Sequence, residues 1–367
     1  MREPSTLQDQ TRKKATVGIP SAVLEWLLQP ENPPVRYLTL TNLLHKPPES
    51  AEVRRTKDRV MDYSVTQEIL RHAGEFAREG EERAYSKYNG KYWQLIFLGQ
   101  FLADGEDPRI SGWAGGILDK RSWVNRTGGQ CLTANLLAAF RRLGYGDHPV
   151  VAQETENLAK RVLDDGGIRC AVMDYSLLSR CHMAQPKLLL CFSPIPQKKR
   201  TAAVSSAIRI LVKNLLDTEV FVYVPGHHRE WQDVIAHPPK RDELGKSMTV
   251  KGWIAGERER FLKSRGIGDR RPKQGWLKFG FPLHYNSDIL EAMYSLALLG
   301  VPMSAQLEKP FEVIRQKMTK EGTWILENSL NGKMLADVEQ KGKPSKWLTF
   351  FGHQVLQHFG PNGHGRR

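Results

Sequence analysis

The feature of this sequence that most constrains its fold is a helix–corner–helix pattern that recurs along the chain. In residues 280–324, a first apolar helical stretch leads to a Leu-Gly-Val-Pro corner, and a second helical stretch ends before an acidic residue, a glycine and Trp324. One such unit forms an ordinary helical hairpin, whereas several units stack into a solenoid or a closed ring. The number of units therefore decides the fold.

Further copies of the pattern are present. The stretch 132–143 has helical apolar spacing and runs into a Leu-Gly-Tyr corner. Corners near Ala103, Gly144 and Ile195 lie about 40 to 50 residues apart, and Gly300 follows about two periods later. This spacing predicts an all-α fold of stacked or ring-closed helical hairpins, with an irregular helical bundle as the alternative.

Length and composition favour one large domain. The chain has 367 residues, of which 40% are apolar, which is enough for a substantial core. We expect flexible ends at residues 1–20 and 361–367 around a single domain at 21–360. The polar N-terminus, the lack of a membrane-length apolar run and the four sparse cysteines are typical of a cytoplasmic protein with thiols.

A basic insertion interrupts the pattern at residues 224–278. Its segment 249–266, "TVKGWIAGERERFLKSRG", predicts an amphipathic helix that contacts an anionic membrane peripherally or binds a partner, although a plain surface excursion is the alternative. The net charge of +14 also favours anionic partners. No basic motif interleaved with aromatic residues is present, so a nucleic-acid partner is not indicated.

Six segments of the chain form a recognisable set. They are "NPPVRYLTLTNLL", "KYNGKYWQLIFL", "CLTANLLAAFRRLGYGDHP", "GWLKFGFPLHYNSDILEAMYSLALLG", "EGTWILE" and "KPSKWLTFFGHQVL". They resemble the prenyltransferase and squalene-oxidocyclase repeat superfamily, and the resemblance spans most of the chain. It is nearest to prokaryotic repeat-containing members, from which a fold but no reaction can be carried over. The resemblance implies an α/α toroid, whose inner ring we expect to comprise the helices starting near Tyr92, Cys131, His182, Tyr285 and Lys346.

The chain departs from the characterised enzymes of that superfamily in two ways. It has no Asp-x-Asp-Asp motif, from which the cyclases take their protonating acid; the nearest stretch, 164–166, fits a helix-ending turn. The Asp-x-Cys pair of the protein prenyltransferases is also missing, because Asp165 and Cys170 are too far apart to match it. Neither set of site residues can therefore be transferred.

A cysteine and histidine set predicts a zinc site. If the inner helices run parallel, their N-termini meet at one mouth of the toroid, where thiolates are stabilised. Three cysteines and a histidine match the tetrahedral ligand set of zinc, with His182 as a substitute fourth ligand. Separate buried thiols are the alternative, and Cys191 is expected in the core. The predicted zinc ligands are Cys131, Cys170, Cys181 and His284.

Asp174, Tyr175 and Asp288 are candidates for acid–base chemistry. Asp174 and Tyr175 lie between two of the predicted zinc ligands, where a desolvated carboxyl could act as a general acid, although a solvated loop is the alternative. Asp288 and Glu291 share one face of a helix, which suits a base with an orienting group or a simple helix cap.

Aromatic residues predict a binding cavity. Trp93, Trp276, Phe281 and Tyr285 could line a central space for an apolar chain or a carbocation, or could pack the repeat. Two functions stay open: an enzyme acting on an apolar, isoprenoid- or lipid-like substrate, with zinc assisting, and a non-catalytic toroid that binds a peptide, lipid or protein.

Overall fold

The computed structural model describes residues 18–121, 123–124, 129–168, 181, 183–225, 228–245, 248–265, 270–361 and 363. These residues are mostly helical with a few very short strands, which confirms the all-α prediction. The N-terminal part contains six short helices. They are α1 (Ser21–Leu27), α2 (Pro33–Leu38), α3 (Ala51–Asp58), α4 (Ser64–Arg71), α5 (Ala73–Arg78) and α6 (Glu81–Ala84).

Four helical hairpins and one final helix make up most of the rest. The hairpins are α7 (Lys91–Gln100) with α8 (Pro108–Lys120), α9 (Gly129–Arg142) with α10 (Pro149–Asp165), α11 (Gln185–Phe192) with α12 (Ala202–Leu216), and α15 (Ile289–Leu298) with α16 (Ala305–Gln316). The final helix is α17 (Lys346–Phe359). Each hairpin contains one of the four predicted corners, so the recurring sequence pattern is a recurring structure.

Three of the corners close in the same way. The residue after the turn donates its backbone N–H to the carbonyl five residues earlier. The residue preceding this donor has a positive φ, and such a residue in the left-handed region commonly ends an α-helix. Glycine suits that position because it lacks a Cβ, whereas the first corner uses leucine. The bonds are Ala103 to Leu98 (3.0 Å), Tyr145 to Phe140 (2.8 Å) and Val301 to Leu296 (3.1 Å), after Leu102 (φ 61°), Gly144 (φ 99°) and Gly300 (φ 70°).

The first helices of the hairpins pack on one another in sequence order. Helix α7 contacts α9, α9 contacts α11, α11 contacts α15, and α15 contacts α17. The rings of Phe101, after α7, and Trp347, in α17, lie 5.8 Å apart, which brings the two ends of the series together. The five helices begin close to the five starts predicted from the sequence.

One apolar core runs through this part of the molecule, and Trp324 shows how its turns are fixed. The Trp324 indole is fully buried, and its Nε1 donates to the Ile314 carbonyl at 2.9 Å. A Cβ on Gly352 of α17 would lie 2.7 Å from the Trp324 ring, so only glycine permits this contact. The predicted Glu-Gly-Thr-Trp turn therefore anchors the last hairpin to α17.

The basic insertion folds as a separate helical hairpin. Strands β1 (Tyr223–Pro225) and β2 (Arg270–Pro272) pair antiparallel at its base, followed inward by α13 (His228–Ile235) and α14 (Val250–Arg265). Trp231 and Ile235 pack with Ile254 in a small apolar cluster separate from the main core. A further short antiparallel pair joins β3 (Trp324–Ile325) to β4 (Pro344–Ser345).

Apolar side chains of α14 belong to this cluster. Ile254 is buried in it, and the partly buried Trp253 and Phe261 pack against it. The apolar face predicted to contact a membrane is thus directed at α13, and a membrane contact of the insertion stays a prediction that rests on its basic residues. Among the described helices, none combines the length and the apolar character needed to cross a bilayer.

Candidate functional site

A short stretch, residues 279–288, positions the candidate site; we call it the central segment. It follows the insertion and leads into α15. The Phe281 backbone N–H donates to the Asn328 carbonyl at 3.2 Å, and the Phe281 ring stacks on Trp347 of α17 at 4.3 Å. A Cβ on Gly280 would lie 2.7 Å from the Asn328 oxygen, so glycine allows the close backbone approach.

The central segment and the helices around it enclose a pocket of about 90 Å³. Its wall is mainly apolar, with five polar or charged side chains among the lining residues. The apolar lining includes Leu38, Leu102, Leu190, Phe281, Leu283, Leu290, Trp347, Leu348 and Phe351, and the polar side chains are Gln100, Arg142, Asp288, Glu291 and Tyr294. We call this space the central pocket.

Asp288 is buried at the start of α15 and caps that helix. Its Oδ1 accepts the Glu291 N–H at 2.7 Å, and its Oδ2 accepts the Gly280 N–H at 2.9 Å. Burial and the nearby Glu291 charge raise the pKa of Asp288 to about 7, although both N–H donors and the Lys187 charge act in the opposite direction. The carboxyl therefore changes protonation state near neutral pH, which is the property that a general acid needs.

A buried ion pair lies beside Asp288. The Lys187 ammonium, on a side chain that is 1% exposed, contacts Glu291 Oε1 at 2.5 Å. The second oxygen of that carboxylate, Glu291 Oε2, is buried and has no hydrogen-bond partner, and the same is true of Gln100 Oε1. The pocket lining thus contains two hydrogen-bond acceptors that the described protein atoms leave open.

Arg142, at the C-terminus of α9, adds a positive charge to the same lining. Burial lowers the pKa of the Arg142 guanidinium, and the neighbouring Tyr294, Cys191 and Glu291 act against this shift. The group still carries its charge at neutral pH, because arginine does not deprotonate in proteins. Within the described ranges, Arg142 forms no hydrogen bond or ion pair.

His284 lies in an aromatic cage on the other side of the central segment. Its ring centroid is 5.4 Å from that of Trp93, 5.7 Å from Phe97 and 5.9 Å from Tyr88, and the side chain is fully buried. Neither ring nitrogen has a hydrogen-bond partner among the described residues. Burial, together with the Lys187 charge, lowers the pKa of His284 to about 3, so the imidazole is neutral.

The four aromatic residues predicted to bind substrate lie in different surroundings. Phe281 lines the central pocket. Trp93 belongs to the His284 cage, and its ring centroid lies 4.7 Å from that of Tyr285. The Tyr285 hydroxyl also hydrogen-bonds to the Tyr85 hydroxyl at 2.8 Å. Trp276 is buried where the insertion rejoins the core, and its Nε1 donates to the Val220 carbonyl at 2.8 Å. Three of the four therefore have packing contacts that account for them.

The other predicted site residues are only partly described. Asp174 and Tyr175 lie outside the described residues, as do Cys170 and the substitute ligand His182. Asp288 caps α15, which is one of the two alternatives for it, and it also lines the central pocket; its acid–base role stays a prediction.

The zinc site stays a prediction, because one of its four ligands, Cys170, lies outside the described residues. The unpartnered His284 nitrogens would suit a metal ligand, whereas no three His, Cys, Asp or Glu side chains converge among the residues described. Cys131 and Cys181 are half-buried and reduced. Buried Cys191, expected in the core, has a pKa raised to about 12 by burial. A fit of the described residues to zinc is therefore not shown.

Sequence reasoning missed Arg142 and Gln100 in the pocket lining and Lys187 beside the pocket. Lys187 and Arg142 look like ordinary surface positions in apolar helices, and Gln100 ends a helix that is otherwise apolar. Arg142 immediately precedes the Leu143–Gly144 corner and Lys187 is in the first turn of a predicted inner helix, but solvent-exposed helix ends have the same local sequence.

Comparison with known proteins gave no further information. No family model, no curated protein and no solved structure matches this chain.

Proposed function

We propose that helices α7, α9, α11, α15 and α17 form the inner wall of an α/α toroid and that the central pocket lies at its middle. The sequential packing of these five helices and the contact between Phe101 and Trp347 support this arrangement. The second helices support it too, since α10 packs on α12 and α16 packs on both α15 and α17, as an outer layer would.

We also propose that the central pocket is an active site in which Asp288 is the general acid. The observation that carries this proposal is a buried carboxyl with a pKa of about 7 in a pocket walled by Phe281 and Trp347. Both Asp288 oxygens already accept backbone N–H groups, so the O–H of the protonated form is available to a substrate. The substrate class is apolar and isoprenoid-like, in keeping with the resemblance in sequence.

The proposed step is the protonation of a carbon–carbon double bond. The π electron pair forms a new C–H bond with the Asp288 proton, and the neighbouring carbon becomes a cation beside the aromatic rings of Phe281 and Trp347, which attract positive charge. Loss of another proton from the substrate to water gives an isomerised alkene, and solvent returns a proton to Asp288. The exchange consumes no oxidant or reductant.

Pocket size narrows the substrate. A cavity of about 150 Å³ holds a benzene molecule, so the central pocket of about 90 Å³ accommodates a branched unit of about five carbons. A longer isoprenoid chain would require Phe281 and Leu283 to move. We therefore propose a small substrate, or a longer one of which only the reacting end enters the pocket.

Deuterium exchange tests the proposal directly. The protein is incubated in D2O with 3-methylbut-2-en-1-ol, 3-methylbut-2-enoate and 3-methylbut-3-enoate, and carbon-bound deuterium is measured by mass spectrometry. We expect incorporation by the wild type and by the control Asp217→Asn, whose side chain is exposed, and a loss of at least 100-fold in Asp288→Asn. Compounds that bind without exchanging deuterium would refute the general-acid role.

The insertion supports a second candidate function, a toroid that binds a partner surface. The observation is that its hairpin has its own apolar cluster, as an appended binding module would. We propose an anionic membrane as the partner, through basic residues of α14 such as Lys251 and Lys263. Co-sedimentation with phosphatidylglycerol vesicles, compared with phosphatidylcholine vesicles, should show binding that weakens with salt. Equal recovery with both vesicles would remove this candidate.

The zinc site also stays a proposal, with Cys131, Cys170, Cys181 and His284 as ligands. The unpartnered nitrogens of buried His284 support it. Elemental analysis should find one zinc ion per chain in the wild type and less in Cys131→Ala and Cys181→Ala, with a loss of stability on chelation. A metal-free wild type of unchanged stability would refute it.

A further inference from the structure

The central pocket contains open hydrogen-bonding groups of both kinds. Glu291 Oε2 and Gln100 Oε1 are buried acceptors without a partner, and the Arg142 guanidinium is a set of donors that no described residue occupies. Open buried polar groups are unfavourable unless water or a ligand satisfies them. Because these three groups line one pocket, a single ligand can satisfy them together.

The chemistry of each group defines what it recognises. A guanidinium binds a carboxylate through two parallel N–H bonds, which makes arginine the preferred residue for this anion. Glu291 Oε2 and Gln100 Oε1 accept hydrogen bonds and so select a hydroxyl or amino group. The rings of Phe281, Trp347 and Phe351 leave room only for an apolar body between these polar ends.

The charge of the pocket selects a single negative charge. The Lys187 charge is already balanced by Glu291, so Arg142 contributes one uncompensated positive charge when Asp288 is protonated. A phosphate carries nearly two negative charges at neutral pH and would approach the carboxylates of Asp288 and Glu291. Like charges at close range are unfavourable, which favours a carboxylate over a phosphate.

From this arrangement, we propose that the central pocket binds a small carboxylic acid with an apolar body and a hydroxyl or amino group, held by Arg142 at the carboxylate and by Gln100 and Glu291 at the donor. This inference deepens the proposed function, because it names the substrate class of the same pocket. Arg142 is a binding residue in this scheme, and Asp288 stays the acid.

Matched ligands test the proposal by calorimetry on the full chain. The probes are 3-methylbut-2-enoate, its amide, the corresponding alcohol and its monophosphate, and 4-hydroxy-3-methylbut-2-enoate. We expect the acid to bind at least tenfold more tightly than the amide or the alcohol, and the hydroxy acid to bind a further threefold or more above the plain acid. Equal binding of acid and amide would overturn the proposal, and so would tighter binding of the monophosphate or no binding of any probe at 10 mM.

Variants locate the two ends of the ligand. Arg142→Met should weaken binding of the acid at least tenfold, Arg142→Lys should weaken it less, and the exposed control Arg209→Met should not change it. Gln100→Leu should remove the extra affinity of the hydroxy acid without affecting the plain acid. Unchanged binding in a folded Arg142→Met protein would overturn the inference. If Asp288→Asn binds the acid normally but does not exchange deuterium, the binding inference is upheld and only the proton step depends on Asp288.

Discussion

His284 and Asp288 are four residues apart in the central segment. Burial favours the neutral form of both side chains, so it shifts their pKa values in opposite directions. The pKa of His284 falls to about 3, and that of Asp288 rises to about 7. The His284 ring packs against aromatic rings, and no described residue hydrogen-bonds to either of its nitrogens, although the Lys187 charge also acts on it. Asp288 has a backbone donor on each oxygen and lies close to the charges of Glu291 and Lys187.

The two residues therefore differ in whether they can gain or lose a proton near neutral pH. An imidazole with a pKa of about 3 does not gain a proton at any pH at which the protein operates, so His284 acts as an aromatic core residue unless a metal binds it. A carboxyl with a pKa of about 7 exists in both forms under ordinary conditions. Equal burial therefore leaves His284 neutral and Asp288 able to change protonation state near neutral pH.

Removing the Glu291 charge should have the largest effect on stability and should also change the pKa of Asp288. Glu291→Leu leaves the Lys187 ammonium buried without its counter-charge, so we expect a loss of about 3 to 5 kcal/mol in the free energy of unfolding. Glu291→Gln, which keeps an acceptor, should lose less and should lower the pKa of Asp288 without a direct effect on His284. Urea denaturation and carbon-13 NMR of the Asp288 carboxyl measure both. An unchanged Asp288 pKa in a folded Glu291→Gln protein would contradict this account.

Asp288→Ala should cost about 2 to 4 kcal/mol at pH 6, because two buried backbone N–H groups lose their acceptor. Asp288→Asn keeps one acceptor and should cost about half as much.

The pH dependence gives an independent check on Asp288. The folded pKa is above the unfolded value of about 3.9, so wild-type stability should fall as pH rises from about 4 through 7. The difference between wild type and Asp288→Asn should therefore shrink from pH 5 to pH 8. A constant difference across this range would show that Asp288 does not titrate as described.

His284→Phe should have the smallest effect at neutral pH, within about 1 kcal/mol, because phenylalanine keeps the ring and removes two unpartnered nitrogens. The wild-type pKa is lowered on folding, so its stability is lost as pH falls from about 6.5 toward 3. At pH 4.5, we therefore expect the variant to gain about 2 to 3 kcal/mol over the wild type relative to pH 7. Parallel stability curves for the two proteins would show that His284 is not neutral in the folded state.

Much of the fold could be predicted because its signals are local. The apolar spacing of each helix and the Leu-Gly corners at Gly144 and Gly300 are read directly from consecutive residues. The first corner uses Leu102 in a conformation that favours glycine, yet the change from an apolar helix to a more polar segment still predicted a corner there. The pairing of α13 with α14 was missed, because "TVKGWIAGERERFLKSRG" gives no sign that its apolar residues have a partner helix within the insertion.

The site was harder to predict, because it depends on which distant residues meet. Asp288 and Phe281 were identified from helix-start and aromatic patterns, and both line the pocket. Arg142 and Gln100 are at the ends of two different helices, and only the packing of those helices brings them to one space. Nothing within five residues of either position distinguishes it from a solvent-exposed helix end.

The paired strands β1 and β2 bring the two ends of the insertion together, so the insertion projects from the core as a separate excursion of the chain. The Lys273 N–H donates to the Val222 carbonyl at 2.8 Å, immediately before the paired strands, so the chain leaves the core and returns to it at one place. A short turn between these two residues would close the same gap. The hairpin can accordingly be excised, lengthened or exchanged for another module without changing the connectivity of the helices around the pocket, which separates the evolution of its surface from that of the site.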